Sequence, residues 1–421
     1  MNFKTSLSFA KEMDEKDPLK SFRDQFIFPS FHKNKMRYFT GNSLGLQPKT
    51  TREVIGEELD DWAQFAVDGH FMSRRPWYSY HEQLTAYAAE IVGAKEIETV
   101  ITHSLTTNIH LLMVSFYQPK GKRKKILCEK KAFPSDQYAL QSQLKFHGLT
   151  LDDLIEVGPR DGEHIIRHED IITAIQDNKE ELALVFLGGV NYYTGQYFNL
   201  KEITAAGHNA GAYVGFDLAH AAGNVNLELH DWKVDFAMWC SYKYLNSSPG
   251  GVSGLFVHEK HSEDTTLPRF AGWWGHDKEQ RFMMGDEFYP IKGAEGWQLS
   301  NAPVLGMAAH LASLRIFKEA GMTRIGEKRD LITSYLEFLL EDFNMKNKNI
   351  LEIITPKKPT ERGSQLSILF QKDGKIIFDL LTNAGIVADW REPNVIRIAP
   401  APLYVSYEDC WSFVEVLNQH S

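Results

Sequence analysis

Residues 212–243 read "AYVGFDLAHAAGNVNLELHDWKVDFAMWCSYK". Two apolar runs, "AYVGFDLAH" and "VDFAMWCSYK", bracket the stretch. Both are rich in aromatic and aliphatic residues at both parities, the pattern of strands covered on both sheet faces. The first ends near Asp217 and the second at Lys243, 26 positions apart (243 − 217). That spacing predicts one strand–helix–strand step, with both side chains delivered to the same sheet edge. Open α/β sheets collect their ligands at such carboxyl ends.

The neighbouring segments extend the pattern. "ETVITH" (98–103), "KKILCE" (124–129), "ELALVFL" (181–187) and "GVSGLFVHE" (251–259) read as strands. "TTNIHLLMVSFY" (106–117) reads as a helix with Ser104 or Thr106 available as its cap, and "KEITAAGHNAG" (201–211) as a helix ending in glycine. Strands alternating with helices predict an α/β fold around a mostly parallel sheet. "PVLGMAAHLASLRIFKEA" (303–320) predicts a linking helix stopped at Gly321. Beyond it, "SYLEFLLEDF", "IIFDLLTNAG" and "VIRIAPAPLY" predict a smaller α+β domain. The expected division is an N-terminal arm over 1–49, a large α/β domain over 50–303, and a linker helix with a small C-terminal domain over 304–421.

Composition excludes several classes. In 421 residues, 55 acidic against 46 basic side chains leave a net charge of −9, so no basic face is supplied in bulk for nucleic acid. The basic run "PKGKRKK" (119–125) reads as a solvated turn. Cys128, Cys240 and Cys410 are too scattered for a disulfide framework, which favours a reducing compartment. The first residues lack the apolar core of a signal peptide, and no run is long enough to span a membrane, so the expectation is a cytoplasmic protein. No G-x-x-x-x-G-K-[ST] occurs, and "HEKH" (258–261) lacks the H-E-x-x-H spacing and reads as an exposed turn.

An acid and an amine at one sheet edge suit a particular cofactor. A lysine amine can hold an aldehyde as a Schiff base. A carboxylate can keep a pyridine nitrogen protonated through a charge-assisted hydrogen bond. Lys243 and Asp217 therefore point to pyridoxal 5'-phosphate. Its phosphate needs donors, and Leu105, Thr106 and Thr107 would open a helix whose first N–H groups are free. Tyr242 could add a phenolic donor. Phe133, in the turn made by Pro134, could stack on the ring, with Asp136 supporting the same network.

The chain resembles the kynureninase family, within the fold type I pyridoxal phosphate enzymes. The resemblance is carried by "YFTGNSLGLQP" (38–48), "GHFMSRRPW" (69–77), "HSLTTNIHLLM" (103–113), "FPSDQYA" (133–139), "YYTGQYFN" (192–199), "GFDLAHAAGNV" (215–225), "WCSYKYLNSSPGG" (239–251), "GWWGH" (272–276), "LSNAP" (299–303) and "IRIAPAPLY" (396–404). "GNSLGL" with "GFDLAHA" is far more specific than the SYK triplet. The resemblance implies the fold type I architecture, a homodimer, and hydrolysis of the Cβ–Cγ bond of L-kynurenine or its 3-hydroxy derivative to an anthranilate and L-alanine, within tryptophan breakdown or NAD synthesis.

It also implies roles for individual residues. Lys243 is the expected Schiff-base lysine, Asp217 the partner of the pyridine nitrogen with His220 beyond it, and Tyr242 a proton relay beside the phosphate. Leu105 and Thr106 are expected phosphate contacts, and Phe133, Pro134, Ser135 and Asp136 the ring-side contacts. Trp273 and Asn301 are expected to complete the neighbouring subunit's site. Arg397 resembles the clamp on the substrate α-carboxylate, and Ser43, His70 and Asn301 resemble residues lining the aryl pocket. Gly188 departs from the pattern, since a Ser or Thr is common there, and a hydroxyl contact to the cofactor is lost. The rival readings are another fold type I enzyme (an aminotransferase, or a cysteine desulfurase or selenocysteine lyase) and a non-catalytic pyridoxal phosphate-binding protein. Cys410 is the only cysteine after Lys243, which disfavours a desulfurase.

Overall fold

The computed structural model describes residues 2–32, 34–264, 266–348 and 350–419. Its centre is a seven-stranded sheet built from β1 (Thr99–Ile101), β2 (Lys125–Glu129), β3 (Leu154–Val157), β4 (Leu182–Gly188), β5 (Tyr213–Asp217), β6 (Phe236–Cys240) and β7 (Ser253–Val257). The spatial order is β1-β7-β6-β5-β4-β2-β3. Strands β3, β2, β4, β5 and β6 run parallel, and β7 is antiparallel to both β6 and β1.

Apolar residues at both parities are explained by two separate cores. On one face, Ile126, Leu184, Phe186, Phe236 and Met238 pack beneath Ile109, Leu112 and Phe116 of the helix Leu105–Phe116. On the other, Leu127, Val185, Leu187, Ala237 and Trp239 meet Ile203 and the buried side of the long helix Val304–Ala320. Side chains alternate across a strand, so consecutive residues feed opposite cores. The faces are filled closely: a Cβ added at Gly254 of β7 would lie 2.2 Å from the Trp239 ring.

The connection between β5 and β6 differs from the expected strand–helix–strand step. Residues 218–235 run through successive turns with no helix. Gly223, at φ +75°, breaks the incipient turn of "LAHAAG". The chain then ties itself to the end of the helix Glu82–Val92, where Leu229 and His230 N–H donate to the Val92 and Gly93 carbonyls. Their backbone groups are satisfied outside any helix. Asp235, just before β6, accepts from the Val214 N–H of β5 at 2.7 Å and pairs with His208 and His261 at 2.9 Å each. These donors, with Lys260, hold its buried carboxylate well below the usual range although burial opposes them.

That anchor corrects the reading of "HEKH". His258 is buried and His261 is half-buried, because two buried carboxylates, Glu98 and Asp235, require partners there. The basic run is a turn closed between Lys120 and Arg123, as expected. Arg123, however, folds back onto the Leu182 and Ala210 carbonyls.

Past the helix Val304–Ala320 comes the 25-residue helix Met322–Lys346 and an antiparallel sheet of β8 (Leu351–Ile353), β9 (Leu366–Phe370), β10 (Asp389–Arg391) and β11 (Val395–Ile398), in the order β8-β9-β11-β10. The N-terminal arm packs here. Asp14 of the helix Leu7–Lys16 accepts the first N–H groups of the helix Tyr407–Asn418, from Tyr407 at 2.7 Å and Glu408 at 3.0 Å. Among the described residues no helix is long and apolar enough to cross a membrane.

Candidate active site

The carboxyl ends of β2, β4, β5 and β6 open on one cavity of about 320 Å³. Lys243 reaches it from the turn that follows β6, and Asp217 closes β5 beside it. Ser241 pins that turn through its hydroxyl to Val252 O and to Ser247. The "GNSLGL" segment lies against it: Gly45 N–H donates to Tyr242 O at 2.8 Å, and a Cβ on Gly45 would stand 2.4 Å from Lys243 O. The signature is glycine there because backbone packs on backbone.

The two opposite charges feel one another. Burial pushes the Asp217 carboxyl up, and the Lys243 ammonium, the Ala219 N–H at 2.7 Å and Asp136 pull it down. Asp136, in the first turn of the helix Pro134–Phe146, is buried next to Asp217 and shifted strongly upward by burial and that neighbouring charge. The pair therefore shares one proton: Asp136 holds it and donates, and Asp217 remains the anion facing Lys243. His220 is buried in the same wall. Burial, followed by Lys243, Arg397 and Arg391, drives its pKa well down, so the ring is neutral. Its Nδ1 has no partner among the described residues.

Phe133 stands at the rim, with Lys243 Nζ 5.7 Å from its ring centroid, and it meets Tyr192 edge-on at 5.2 Å. Across the cavity, Leu105 and Thr106 open the helix Leu105–Phe116, whose first-turn N–H groups have no intrahelical acceptor. Ser104 is its N-cap, and its hydroxyl pairs with Thr107. Burial raises the Tyr242 phenol above its usual value, so it acts as a proton donor unless a cation approaches.

Of the residues expected from sequence, Leu105, Thr106, Phe133, Ser135, Asp136, Asp217, His220, Tyr242 and Lys243 line the cavity, and Pro134 starts the helix behind it. Ser43, His70, Trp273, Asn301 and Arg397 are not among its lining residues in one chain. Ser43 and Asn301 are exposed. His70 bonds Val67 O at 2.9 Å and meets Trp77 edge-on, while Trp273, 45% exposed, donates to Arg281 O. Arg397 is buried on β11, where it pairs with Asp389 and donates to Tyr192 O.

One acid escaped the sequence reading. Glu129 ends β2, is fully buried in the cavity wall, and accepts from Asn191 Nδ2 at 2.8 Å. Burial raises its pKa to about 7 despite the Asn191 and Gly188 donors. The space beside Gly188 is filled by this carboxyl, since a Cβ there would lie 2.8 Å from Glu129 Oε1. The available signal was an acid terminating an apolar strand, the same signal that marked Asp217.

The chain is 56% identical to the kynureninase of Flavobacterium johnsoniae over 420 residues, covering 100% of this chain and 99% of that one. The chain belongs to the kynureninase family. The mouse kynureninase is 46% identical, over 97% of this chain and 92% of its own length. The model of the kynureninase C-terminal domain matches residues 325–417. Among solved structures, a cysteine desulfurase from Thermococcus onnurineus NA1 superposes with a TM-score of 0.76 at 17% identity, over 95% of this chain and 97% of its own, which shows a shared fold. A cystine C–S lyase variant carrying glycine linked to its pyridoxal phosphate superposes at 0.74 with 18% identity, over 90% of this chain and 96% of that one. The architecture is fold type I, as expected from sequence.

The kynureninase-family cavity fits pyridoxal 5'-phosphate. It offers an amine for the aldehyde, an anion for the ring nitrogen, an aromatic face at the rim, a helix N-terminus for the phosphate, and an unpartnered His220 nitrogen in its wall.

Proposed function

We propose that this chain hydrolyses L-kynurenine, and its 3-hydroxy derivative, at the Cβ–Cγ bond, releasing an anthranilate and L-alanine in tryptophan breakdown or NAD synthesis. The observation that carries the reading is the convergence of Lys243 and Asp217 on one cavity in a chain so similar to kynureninases along its full length.

Pyridoxal phosphate, when bound, supplies an electron sink for negative charge developing next to the substrate nitrogen. The chain's residues do the rest. Asp217, kept anionic by the Asp136 proton, holds the proton on the pyridine nitrogen. Lys243, whose amine would hold the cofactor's aldehyde, would be the general base for the substrate Cα proton when free. His220 is neutral and Tyr242 keeps its phenolic proton, so both stand in the wall as uncharged hydrogen-bonding groups, and Tyr242 is the one with a proton to lend. Arg397 is assigned to the α-carboxylate, which fixes the Cα–H direction.

The active unit we infer is a homodimer in which Trp273 and Asn301 reach the other subunit's site, with Ser43 and His70 beside the aryl group. Support comes from an exposed aromatic cluster: Phe71 is 61% and Phe282 56% exposed, and they touch Tyr78 and Trp273. A division into an arm, a large domain over 50–303 and a small domain over 304–421 agrees with the two sheets, and three buried free thiols favour the cytoplasm.

The test is a side-by-side kcat/KM for L-kynurenine and 3-hydroxy-L-kynurenine, with Lys243→Ala as control. The variant should lose the visible absorbance of the lysine–cofactor linkage and nearly all turnover. Wild-type-like turnover without Lys243 would refute the assignment.

A further inference from the structure

Asp389, Arg391 and Arg397 share one face of the small sheet. Asp389 and Arg391 stand two residues apart on β10, and Asp389 lies directly opposite Arg397 on β11. The Asp389 carboxylate joins both guanidiniums. Its Oδ2 accepts from Arg397 Nη2 and, at 3.3 Å, from Arg391 Nη2. Arg397 Nη1 is taken by Tyr192 O.

Two donors are left over. The Nε of Arg391 and the Nε of Arg397 are both buried and have no hydrogen-bond partner among the described residues. A buried guanidinium N–H without an acceptor is costly, and it is tolerated where an anion arrives in the working state. The three side chains carry two positive charges and one negative. Both arginines act electrostatically on His220 and on Tyr192, which line the Lys243 cavity. The surplus charge therefore sits against the wall of the cofactor site.

We propose that Arg391 and Arg397 together seat the substrate's α-carboxylate through their Nε–H groups, with Asp389 as the shared counter-ion that holds both forks in place. Arg391 is the added binding residue. A single arginine already occupied by Asp389 and Tyr192 O has one edge to offer, and a second guanidinium supplies the other donor. The identity of the carboxylate's owner rests on the kynurenine reading above, and the seat itself does not.

The test compares acids with their α-carboxamides on the cofactor-loaded protein. Arg391 has a side chain 38% exposed, so Arg391→Met is expected to fold. In that variant KM for L-kynurenine and the calorimetric Kd for L-alanine should each rise about tenfold or more, the worth of one charged hydrogen bond. Values for L-kynurenine amide and L-alaninamide should move less than about twofold on the same reasoning. Arg391→Lys should recover only part of the loss, since a point charge cannot replace the Nε–H direction. Equal changes for acid and amide, or no change for either, overturn the proposal. If the wild type fails to turn over kynurenine but prefers L-alanine to its amide, and Arg391→Met abolishes that preference, the substrate reading falls and the carboxylate seat stands.

Discussion

Glu129→Gln isolates the buried acid that the reaction does not obviously need. Its carboxyl has a pKa of about 7 in the folded chain against 4.5 for the free group. A carboxyl raised on folding binds its proton more tightly in the native state. Its contribution is fully present below the unfolded value and is lost as pH climbs through the folded one. With the side chain completely enclosed, that gap corresponds to about 3 kcal/mol, developed between pH 4.5 and 7 and constant above. Glutamine keeps a carbonyl oxygen for Asn191 and cannot ionise. The variant should therefore match the wild type near pH 4.5 and be more stable at pH 8, by roughly 3–5 °C in Tm for a chain of this size. Differential scanning calorimetry of both proteins across pH 5–8 decides. Asp136 and Asp217 titrate in both proteins, so only the difference between the curves matters. Parallel curves would refute a proton on Glu129.

Three further perturbations test the packing and the charge assignments. Asp136→Asn retains a donor to Asp217 and should keep turnover within about threefold, whereas Asp136→Ala removes that bond and should weaken cofactor binding about tenfold or more, both read by absorbance titration. Arg397→Lys loses the planar fork and should mainly raise KM for L-kynurenine, and an unchanged KM would count against the clamp. Gly254→Ala forces a methyl to 2.2 Å from the Trp239 ring and should destabilise by about 3 kcal/mol, seen as a lower Tm with an intact active-site spectrum in the surviving folded fraction.

Strand identity was legible because burial on both sheet faces leaves a local record. "FAMWC" and "LALVFL" are apolar at every position and both form strands, the first stopping at Cys240, three residues short of the expected end at Lys243. Leu154–Val157, half-buried at the sheet edge, is a strand the sequence pattern did not mark. The cofactor residues were legible for a related reason. Asp217 ends β5 and Lys243 lies in the turn just after β6, and polar groups at or just past the end of a buried strand stand where ligands collect. The same rule applies to Glu129, the last residue of "KKILCE", to which the sequence reading assigns no role.

Other features left no local mark. The turn-rich passage from Asp217 to Phe236 looked like room for a helix, because its backbone partners lie in the distant helix Glu82–Val92. The histidines of "HEKH" looked exposed, because the buried Glu98 and Asp235 that enclose them come from other strands' ends.

Sequence alone determined most strands of the large sheet and the lysine–aspartate pair, since burial and strand ends act on neighbouring residues. Tertiary structure alone decided the charge states: that Asp136 keeps the proton for Asp217, that Glu129 titrates near neutrality, and that Asp389 is held between two arginines. Charge states follow from desolvation and from partners tens or hundreds of residues away, and neither exists until the chain has folded.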